Sequence, residues 1–280
     1  MDVAEDGAVC GAPDQIRIDR YKDLTIKRSP IRSGRGEIDP NSPRALIRRF
    51  AALQRNRLLR CIYTDWYMML AETLPADIEG PLLEIGSGGD FSKTLFPELI
   101  TSEIIAAPIV DVVLDGQRLP FGRDSLRGIL MIDVFHHIPR VESFLSEARQ
   151  CLKPGGVLAM IEPWITPWSR FIYTHFHPEP CRPQAADWHF PAGGPLSCAN
   201  QALPWIVFKR DRRRFQTRCG PWEIALLELH SPFRYLLSGG FSFPNVLPGK
   251  AYGFIKKLEK RLRPFNPYLA MFATIVLKRI

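Results

Sequence analysis

Short apolar runs alternate with amphipathic stretches from about residue 80 to the end of the sequence. Apolar runs bounded by turn residues are typical of buried strands, and apolar residues at helical spacing are typical of helices packed on a sheet. We predict strands at 81–85, 100–106, 111–114, 128–132, 156–162, 222–230 and 271–278, with helices at 91–96, 140–151, 203–214 and 251–261. This alternation indicates an α/β fold, doubly wound and Rossmann-like, with a seven-stranded, mostly parallel sheet.

The residues before this region divide into an arm and two helices. Residues 1–42 mix glycine, proline and charge without a sustained period, which predicts an extended or partly ordered arm. Ser42 followed by Pro43 is typical of a helix start, because serine caps the helix and proline is favoured at its first position. We predict one helix from there and a second at 59–74. The main domain is then 43–280.

The segment 163–203 interrupts the regular pattern. Prolines and aromatic residues are frequent in it, and it separates the fifth strand from the next helix. Long irregular segments inside a domain are usually functional. We predict that it is a lid or substrate-recognition insertion.

Composition places the chain among folded globular proteins, with 46% hydrophobic and 24% charged residues. The acidic N-terminus lacks the pattern of a secretory signal, and the most apolar run near the C-terminus is too short to span a bilayer. The six cysteines form no C-x-x-C pair. We expect a cytoplasmic protein with reduced thiols and no transmembrane segment.

The sharpest local motif is 82–90 (LLEIGSGGD), an apolar strand that runs into a glycine-rich turn. Glycines let the main chain approach a ligand, and a helix start offers unpaired N–H groups, so a nucleotide-like ligand fits here. Phe91 stands where a nicotinamide-binding turn would have its third glycine. Glu84, just before the turn, suits a ligand with an amino group. An ordinary tight turn is the alternative.

Three further motifs follow in order, 115–121 (DGQRLPF), 133–138 (DVFHHI) and 152–156 (LKPGG). Together with the glycine-rich turn they resemble the class I S-adenosylmethionine-dependent methyltransferases, in particular the bacterial group called type 11. The resemblance spans roughly residues 60–162, and the strands predicted in 222–280 agree with it. It implies the methyltransferase variant of the Rossmann-like fold and S-adenosylmethionine as the cofactor.

The resemblance also implies cofactor-binding residues at the ends of the first four strands. They are Glu84, Gly86, Ser87, Gly88, Glu103, Asp115, Gly116, Asp133 and Val134. By this resemblance Glu84 and the glycine turn would hold the methionine part, Glu103 the ribose hydroxyls and Asp115 the adenine amino group. Asp133 and Val134 would lie beside the sulfonium. A surface carboxylate at 103, a turn former at 115 and a strand-end cap at 133 remain alternatives.

The two histidines after the fourth strand are candidates for a catalytic role towards the molecule that accepts the methyl group. Methyl transfer from a sulfonium is an in-line displacement that depends on alignment, and a base of near-neutral pKa would help a hydroxyl or protonated amine. His136 and His137 are the predicted catalytic residues, with a purely structural role as the alternative. The predicted substrate-binding residues are Glu162, Trp164, Trp168, Tyr173, His175 and His177.

A metal site is a further interpretation of the histidines in the insertion. His175, His177 and Glu179, with His189 nearby, are residue types that bind metal ions. Alternating histidines in a proline-rich segment suit acceptor contacts or caps equally well. We therefore predict no metal.

The formal net charge of +8 favours acidic partners. Basic runs at 209–214 and 256–263 would attract a phosphorylated or lipid-linked acceptor, although a solvated helix face is the alternative. A candidate membrane-surface face on the second run comprises Tyr252, Phe254, Ile255, Leu258 and Leu262. No nucleic-acid-binding module accompanies the charge, so we expect no nucleic-acid partner.

The sequence therefore predicts methyl transfer from S-adenosylmethionine to oxygen or nitrogen of a small-molecule, lipid or glycan acceptor. Two other classes remain, an oxidoreductase with a nucleotide cofactor and a catalytically silent cofactor-binding protein. The acceptor and the oligomeric state are left open by the sequence.

Overall fold

The helices before the sheet begin at polar caps. The computed structural model describes residues 39–280 apart from 191–193, 195–197, 242, 244 and 245. In it, α1 spans Pro43–Arg55 and α2 spans Arg57–Ala71. The Ser42 hydroxyl accepts a 3.2 Å hydrogen bond from the N–H of Ala45, as predicted. The Asn56 side chain caps α2 in the same way. The predicted arm, except for its last four residues (39–42), lies outside the described residues.

The described residues form one seven-stranded sheet, which confirms the predicted fold class. Its strands are β1 (Leu82–Ile85), β2 (Ile100–Glu103), β3 (Val112–Val113), β4 (Leu126–Ile132), β5 (Leu152–Pro163), β6 (Trp222–His230) and β7 (Phe272–Arg279). The strand order is β3-β2-β1-β4-β5-β7-β6. All neighbours are parallel except β7, which runs antiparallel to both β5 and β6. The order reverses between β1 and β4, and a crevice opens at such a reversal beyond the carboxyl ends of the strands.

The sheet is buried on both faces, which explains why β4 ends in a continuous apolar run at residues 129–132. Ile129 and Met131 face one apolar cluster, which also contains Phe144. The alternate residues Leu130 and Ile132 face a second cluster, formed largely by α2. Helices therefore cover both faces, and the carboxyl ends of the strands remain the place where a ligand can reach the sheet.

The remaining helices are α3 (Val141–Cys151), α4 (Pro167–His175), α5 (Leu203–Trp205), α6 (Arg212–Arg218), α7 (Arg234–Leu237), α8 (Tyr252–Arg261) and α9 (Asn266–Leu269). Two of the four helices predicted after residue 80 differ in the structure, and α4, α7 and α9 were not predicted. The helix predicted at 91–96 is a short 3-10 helix, Phe91–Thr94. The helix predicted at 203–214 is divided by a π-helical turn at Ile206–Arg210.

The insertion after β5 contains a helix, α4, which the sequence analysis did not predict. Its start is fixed by a capping box between Thr166 and Ser169, with proline at the first helical turn. Ile172 and Tyr173 bury their side chains in the second apolar cluster. The first half of the insertion is therefore part of the packed domain, because its prolines start a helix rather than exclude one.

The prediction of a membrane-surface face on α8 is wrong, because its residues do not all lie on one exposed side of the helix. Phe254 and Leu258 are exposed, but Ile255 is buried and the Tyr252 hydroxyl bonds to Asp65. Tyr252 and Ile255 turn towards the protein because one side of α8 packs against it. Among the described residues, no helix has the length and apolar character needed to cross a bilayer.

Candidate functional site

A cavity of about 380 Å³ lies at the carboxyl ends of the central strands. The turn after β1, the ends of β2 and β4, and the segment after β3 form one side of it. Residues of α1 and α2 and of the insertion contribute the other lining groups. The cavity therefore occupies the crevice that the strand order creates.

The turn after β1 requires glycine at two positions in particular. Gly86 has a φ of 68°, and a Cβ atom there would lie 2.4 Å from Cγ2 of Val134. Gly88 has a φ of 65° and faces open space, since a Cβ atom there would meet nothing within 4 Å. The Gly88 N–H donates a 2.8 Å hydrogen bond to Oε1 of Glu103. The turn thus presents bare main chain to the cavity and is tied to the end of β2.

Glu84 lies below this turn and is not among the lining residues. Its carboxylate accepts hydrogen bonds of 2.5 Å from the hydroxyls of Tyr67 and Ser92. Burial raises the pKa of Glu84 to about 7, and the two hydroxyls partly oppose that rise. Glu84 therefore connects the turn to α2 and does not face a ligand.

Glu103 and Asp115 both line the cavity. Glu103 is buried, and burial raises its pKa while the Gly88 N–H opposes the rise. Asp115 is exposed, and its Oδ1 accepts a 2.9 Å hydrogen bond from the N–H of Gln117. Asp115 therefore shapes its turn, as the alternative interpretation expected, and also faces the cavity beside Gly116.

Asp133 ends β4 in an uncommon conformation, with a φ of 61°. Its side chain is 27% exposed and lines the cavity with Val134. Burial raises the pKa of Asp133 to about 7, and the nearby His136 partly opposes this. A non-glycine residue held in this region of the backbone map often marks a functional site.

The buried Glu162 holds the turn that follows Asp133. Its Oε1 accepts hydrogen bonds of 2.8 and 2.7 Å from the N–H groups of Val134 and Phe135. Its Oε2 lies 2.8 Å from Nδ1 of His136. Glu162 was predicted to bind substrate, but the structure places it behind the lining, where it orients other residues.

The two histidines after β4 differ in their access to the cavity. His136 is fully buried; burial lowers its pKa, but hydrogen bonds to Glu162 and Glu179 raise it well above the usual value. His137 lines the cavity, and its Nδ1 lies 3.0 Å from the carbonyl oxygen of Cys198. Burial and the neighbouring His136 lower the pKa of His137 to about 3. Only His137 of the pair can contact a molecule in the cavity.

Among the other predicted substrate-binding residues, the structure brings only His177 to the cavity. Trp164 is in the first apolar cluster, and the Trp168 N–H donates to the carbonyl of Pro232. The Tyr173 hydroxyl donates to the carbonyl of Met271, and His175 is exposed. Trp168 and Tyr173 are directed away because α4 packs these side chains against its neighbours, whereas Trp164 precedes α4 and His175 faces solvent.

The basic runs are partly engaged elsewhere on the surface. Arg210 pairs with Asp211 at 2.8 Å, and Lys256 pairs with Asp65 at 2.8 Å. Neither run contributes a residue to the described lining of the cavity. The predicted attraction of an anionic acceptor by these runs stays a prediction.

The sequence analysis missed several lining residues from α1, and Arg49 is the most informative. Leu46, Phe50 and Leu53 also line the cavity from this helix. Their spacing of three and four residues puts them on one apolar helix face, and Arg49 lies within that face. An arginine on an apolar face was a sequence signal that could have revealed this contribution.

Two aromatic pairs and the end of the insertion were missed as well. The lining residues in this group are Tyr63, Tyr67, Tyr235, Phe241, Phe190 and Cys198. No local pattern marks them, because each reaches the cavity only through the packing of its element. Among described lining residues, Arg49 is the only lysine or arginine.

The comparisons with known proteins agree with the fold. Residues 83–160 match the family model described as a methyltransferase domain. The match covers β2 to β4 and most of β1 and β5, with the turns that carry the cavity. A search of curated proteins found no match.

Solved structures of similar architecture have low sequence identity to the chain. Geranyl diphosphate C-methyltransferase from Streptomyces coelicolor A3(2) is 12% identical, with 79% of this chain and 81% of that chain covered and a TM-score of 0.48. A possible histamine N-methyltransferase from Thermotoga maritima is 14% identical, with 84% and 99% covered and a TM-score of 0.48. Residues 83–160 are thus similar to a methyltransferase domain, and they include the turns after β1, β3 and β4 that line the cavity.

Proposed function

We propose that the cavity binds S-adenosylmethionine across the ends of β1 to β4 and that the enzyme methylates a small-molecule, lipid or glycan acceptor. One observation carries the proposal: predicted cofactor-binding residues from four separate segments line a single cavity. These residues are Gly86, Ser87, Gly88, Glu103, Asp115, Gly116, Asp133 and Val134. Contacts that are distant in sequence would not converge in this way if the motifs were unrelated turns.

The residues present fit the chemical parts of this cofactor. The open main chain at Gly88 leaves room for a ligand beside the turn. A carboxylate accepts hydrogen bonds, so Glu103 suits ribose hydroxyls and Asp115 suits an adenine amino group. The negative charge of Asp133 would favour a sulfonium nearby.

Arg49 supplies the complementary charge. The methionine part of the cofactor bears a carboxylate, and a guanidinium binds a carboxylate with two parallel hydrogen bonds. We place this carboxylate at Arg49. Phe50 packs near the same turn, since a Cβ atom at Gly89 would lie 2.4 Å from its ring. In this arrangement α1 covers the cofactor.

S-adenosylmethionine, when bound, supplies a methyl group on a positively charged sulfur. The residues of the chain would align the acceptor with that group, because the lining combines charged and polar side chains with aromatic and aliphatic walls. His137 and His177 are the proposed contacts to the acceptor. His136 is buried and does not line the cavity, so it makes no direct contact with the acceptor.

Isothermal titration calorimetry of the full chain with S-adenosylmethionine, S-adenosylhomocysteine and nicotinamide dinucleotides tests the proposal. We expect binding of the two sulfur compounds and none of the dinucleotides. Binding of a dinucleotide without either sulfur compound would overturn it and favour an oxidoreductase. Release of S-adenosylhomocysteine in the presence of candidate acceptors then separates an enzyme from a silent binding protein.

A further inference from the structure

Three side chains next to the cavity converge on one point. His136 Nε2 lies 3.3 Å from Oε2 of Glu179, and His137 Nε2 lies 3.7 Å from Oε1 of the same carboxylate. One potential ligand atom from each of the three residues lies within 4.8 Å of the others. Two ligands at about 2.1 Å from an ion in tetrahedral geometry are about 3.4 Å apart, so the observed spacing is close to that of a metal site.

Both imidazole rings are held with their Nε2 atoms directed at Glu179, and Nε2 of His136 also lies 3.3 Å from the side-chain amide nitrogen of Gln201, which a bound ion would displace. The Nδ1 of His137 lies 3.0 Å from the carbonyl oxygen of Cys198, which can only accept, so Nδ1 carries the proton. The Nδ1 of His136 lies 2.8 Å from the buried carboxylate of Glu162. Histidines that bind metals are held in this way, with the second ring nitrogen donating to a carboxylate or a backbone carbonyl.

The carboxylate between the rings is also held in position. The side-chain amide of Gln201, which is buried, donates to Oε2 of Glu179. Glu162 is fixed by the N–H groups of Val134 and Phe135. The three converging residues are therefore oriented by a surrounding shell before any ligand arrives.

We propose that His136, His137 and Glu179 bind a divalent metal ion through the two Nε2 atoms and the carboxylate. Two imidazoles and one carboxylate favour zinc or cobalt over magnesium or calcium, which prefer oxygen ligands alone. His137 and Glu179 line the cavity, so the ion presents an open coordination position to it. On the proposed function, on which this step rests, that position would take an oxygen atom of the acceptor.

The site differs from the metal pattern visible in the sequence. His175 is exposed and its Nδ1 lies 2.8 Å from the carbonyl oxygen of Phe171, four residues earlier on the same helix. Glu179 instead meets the two histidines that follow β4. A substitution of His175 is therefore a matched control.

Metal binding is measured on the full chain after dialysis against a chelator, by calorimetry with Zn²⁺ and by the visible absorption of Co²⁺. We expect one ion per chain. We expect the variants His137→Ala and Glu179→Gln to bind at least about tenfold more weakly, while His175→Ala binds as the wild type does. Wild-type binding no tighter than that of Glu179→Gln would overturn the proposal, as would equal weakening by His175→Ala.

Circular dichroism and thermal unfolding check that the variants are folded. If both variants fail to fold, X-ray absorption of the Co²⁺-loaded wild type tests the proposed ligands. The site requires scattering from imidazole rings around the ion, and the absence of that scattering would contradict the proposal. Calorimetry with S-adenosylmethionine is run in parallel. Cofactor binding without metal binding would remove this inference alone, and metal binding without cofactor binding would remove the proposed function alone.

Discussion

At the scale of single residues, Gly86 is a position where the backbone allows little change. The variant Gly86→Ala combines a positive φ with a Cβ atom 2.4 Å from Val134. Strain of this kind is worth on the order of 1–3 kcal/mol, and the clash adds to it. We expect a clear loss of unfolding free energy in urea titrations and a loss of cofactor affinity in calorimetry.

Gly88→Ala is the matched control for that variant, because φ is positive there too but no atom lies within 4 Å of the added Cβ. Its loss of stability should be smaller and reflect backbone strain alone. Equal losses in the two variants would show that the contact between Gly86 and Val134 is not tight in solution.

Glu84 gives a prediction for pH. Burial raises its pKa from 4.5 to about 7, so the folded protein holds this proton more tightly than the unfolded chain does. The stabilisation is complete below pH 4.5 and is lost as the pH rises through 7. Glu84→Gln lacks this loss, so its unfolding free energy relative to wild type should increase with pH between those values, by about 1.4 kcal/mol per pKa unit at most.

Urea titrations of both proteins across this pH range measure the difference. Groups common to the two proteins cancel in the subtraction, which isolates residue 84. A difference that stays constant with pH would mean that Glu84 is hydrated in solution rather than sealed beneath the turn by Tyr67 and Ser92.

At the scale of elements, we expect α1 to contribute to cofactor binding through the charge of Arg49. Arg49→Ala should weaken S-adenosylmethionine binding by about 1.5–3 kcal/mol, the contribution of a hydrogen bond to a charged group. Arg48, the exposed neighbour on the same helix, provides the control Arg48→Ala, which should leave the affinity unchanged. Calorimetry measures both.

A ligand without the carboxylate sharpens this test. Methylthioadenosine has the adenine, ribose and sulfur of the cofactor but lacks its amino acid part. Wild type and Arg49→Ala should bind it equally. A similar loss of affinity for methylthioadenosine would show that α1 acts by packing and not by its charge.

At the scale of the whole molecule, the insertion is expected to be anchored to the rest of the domain through α4. Tyr173 is buried and its hydroxyl reaches the carbonyl of Met271, so α4 is tied to the domain. Buried, hydrogen-bonded segments exchange amide hydrogens slowly. In hydrogen–deuterium exchange we expect α4 to be protected with or without cofactor, and rapid exchange throughout α4 would contradict its packing on the sheet.

Much of the fold could be predicted from the sequence because its determinants are local. A strand buried on both faces is expected to be an apolar run, as residues 129–132 of β4 show. A serine followed by proline starts a helix, and Ser42 caps α1 as expected. The helix α4 was missed because its prolines were interpreted as loop residues, although Thr166 caps it and Pro167 begins it.

The sequence by itself determined the order of strands and turns, and thus which motifs lie at strand ends where a cofactor can bind. Only the tertiary structure decided which side chains face the cavity. It brought Glu179 to His136, 43 residues away in the sequence, and turned Glu84 inward. The physical reason is that strand periodicity and turn residues act over a few neighbouring positions, whereas the neighbours of a buried charged group depend on how whole elements pack.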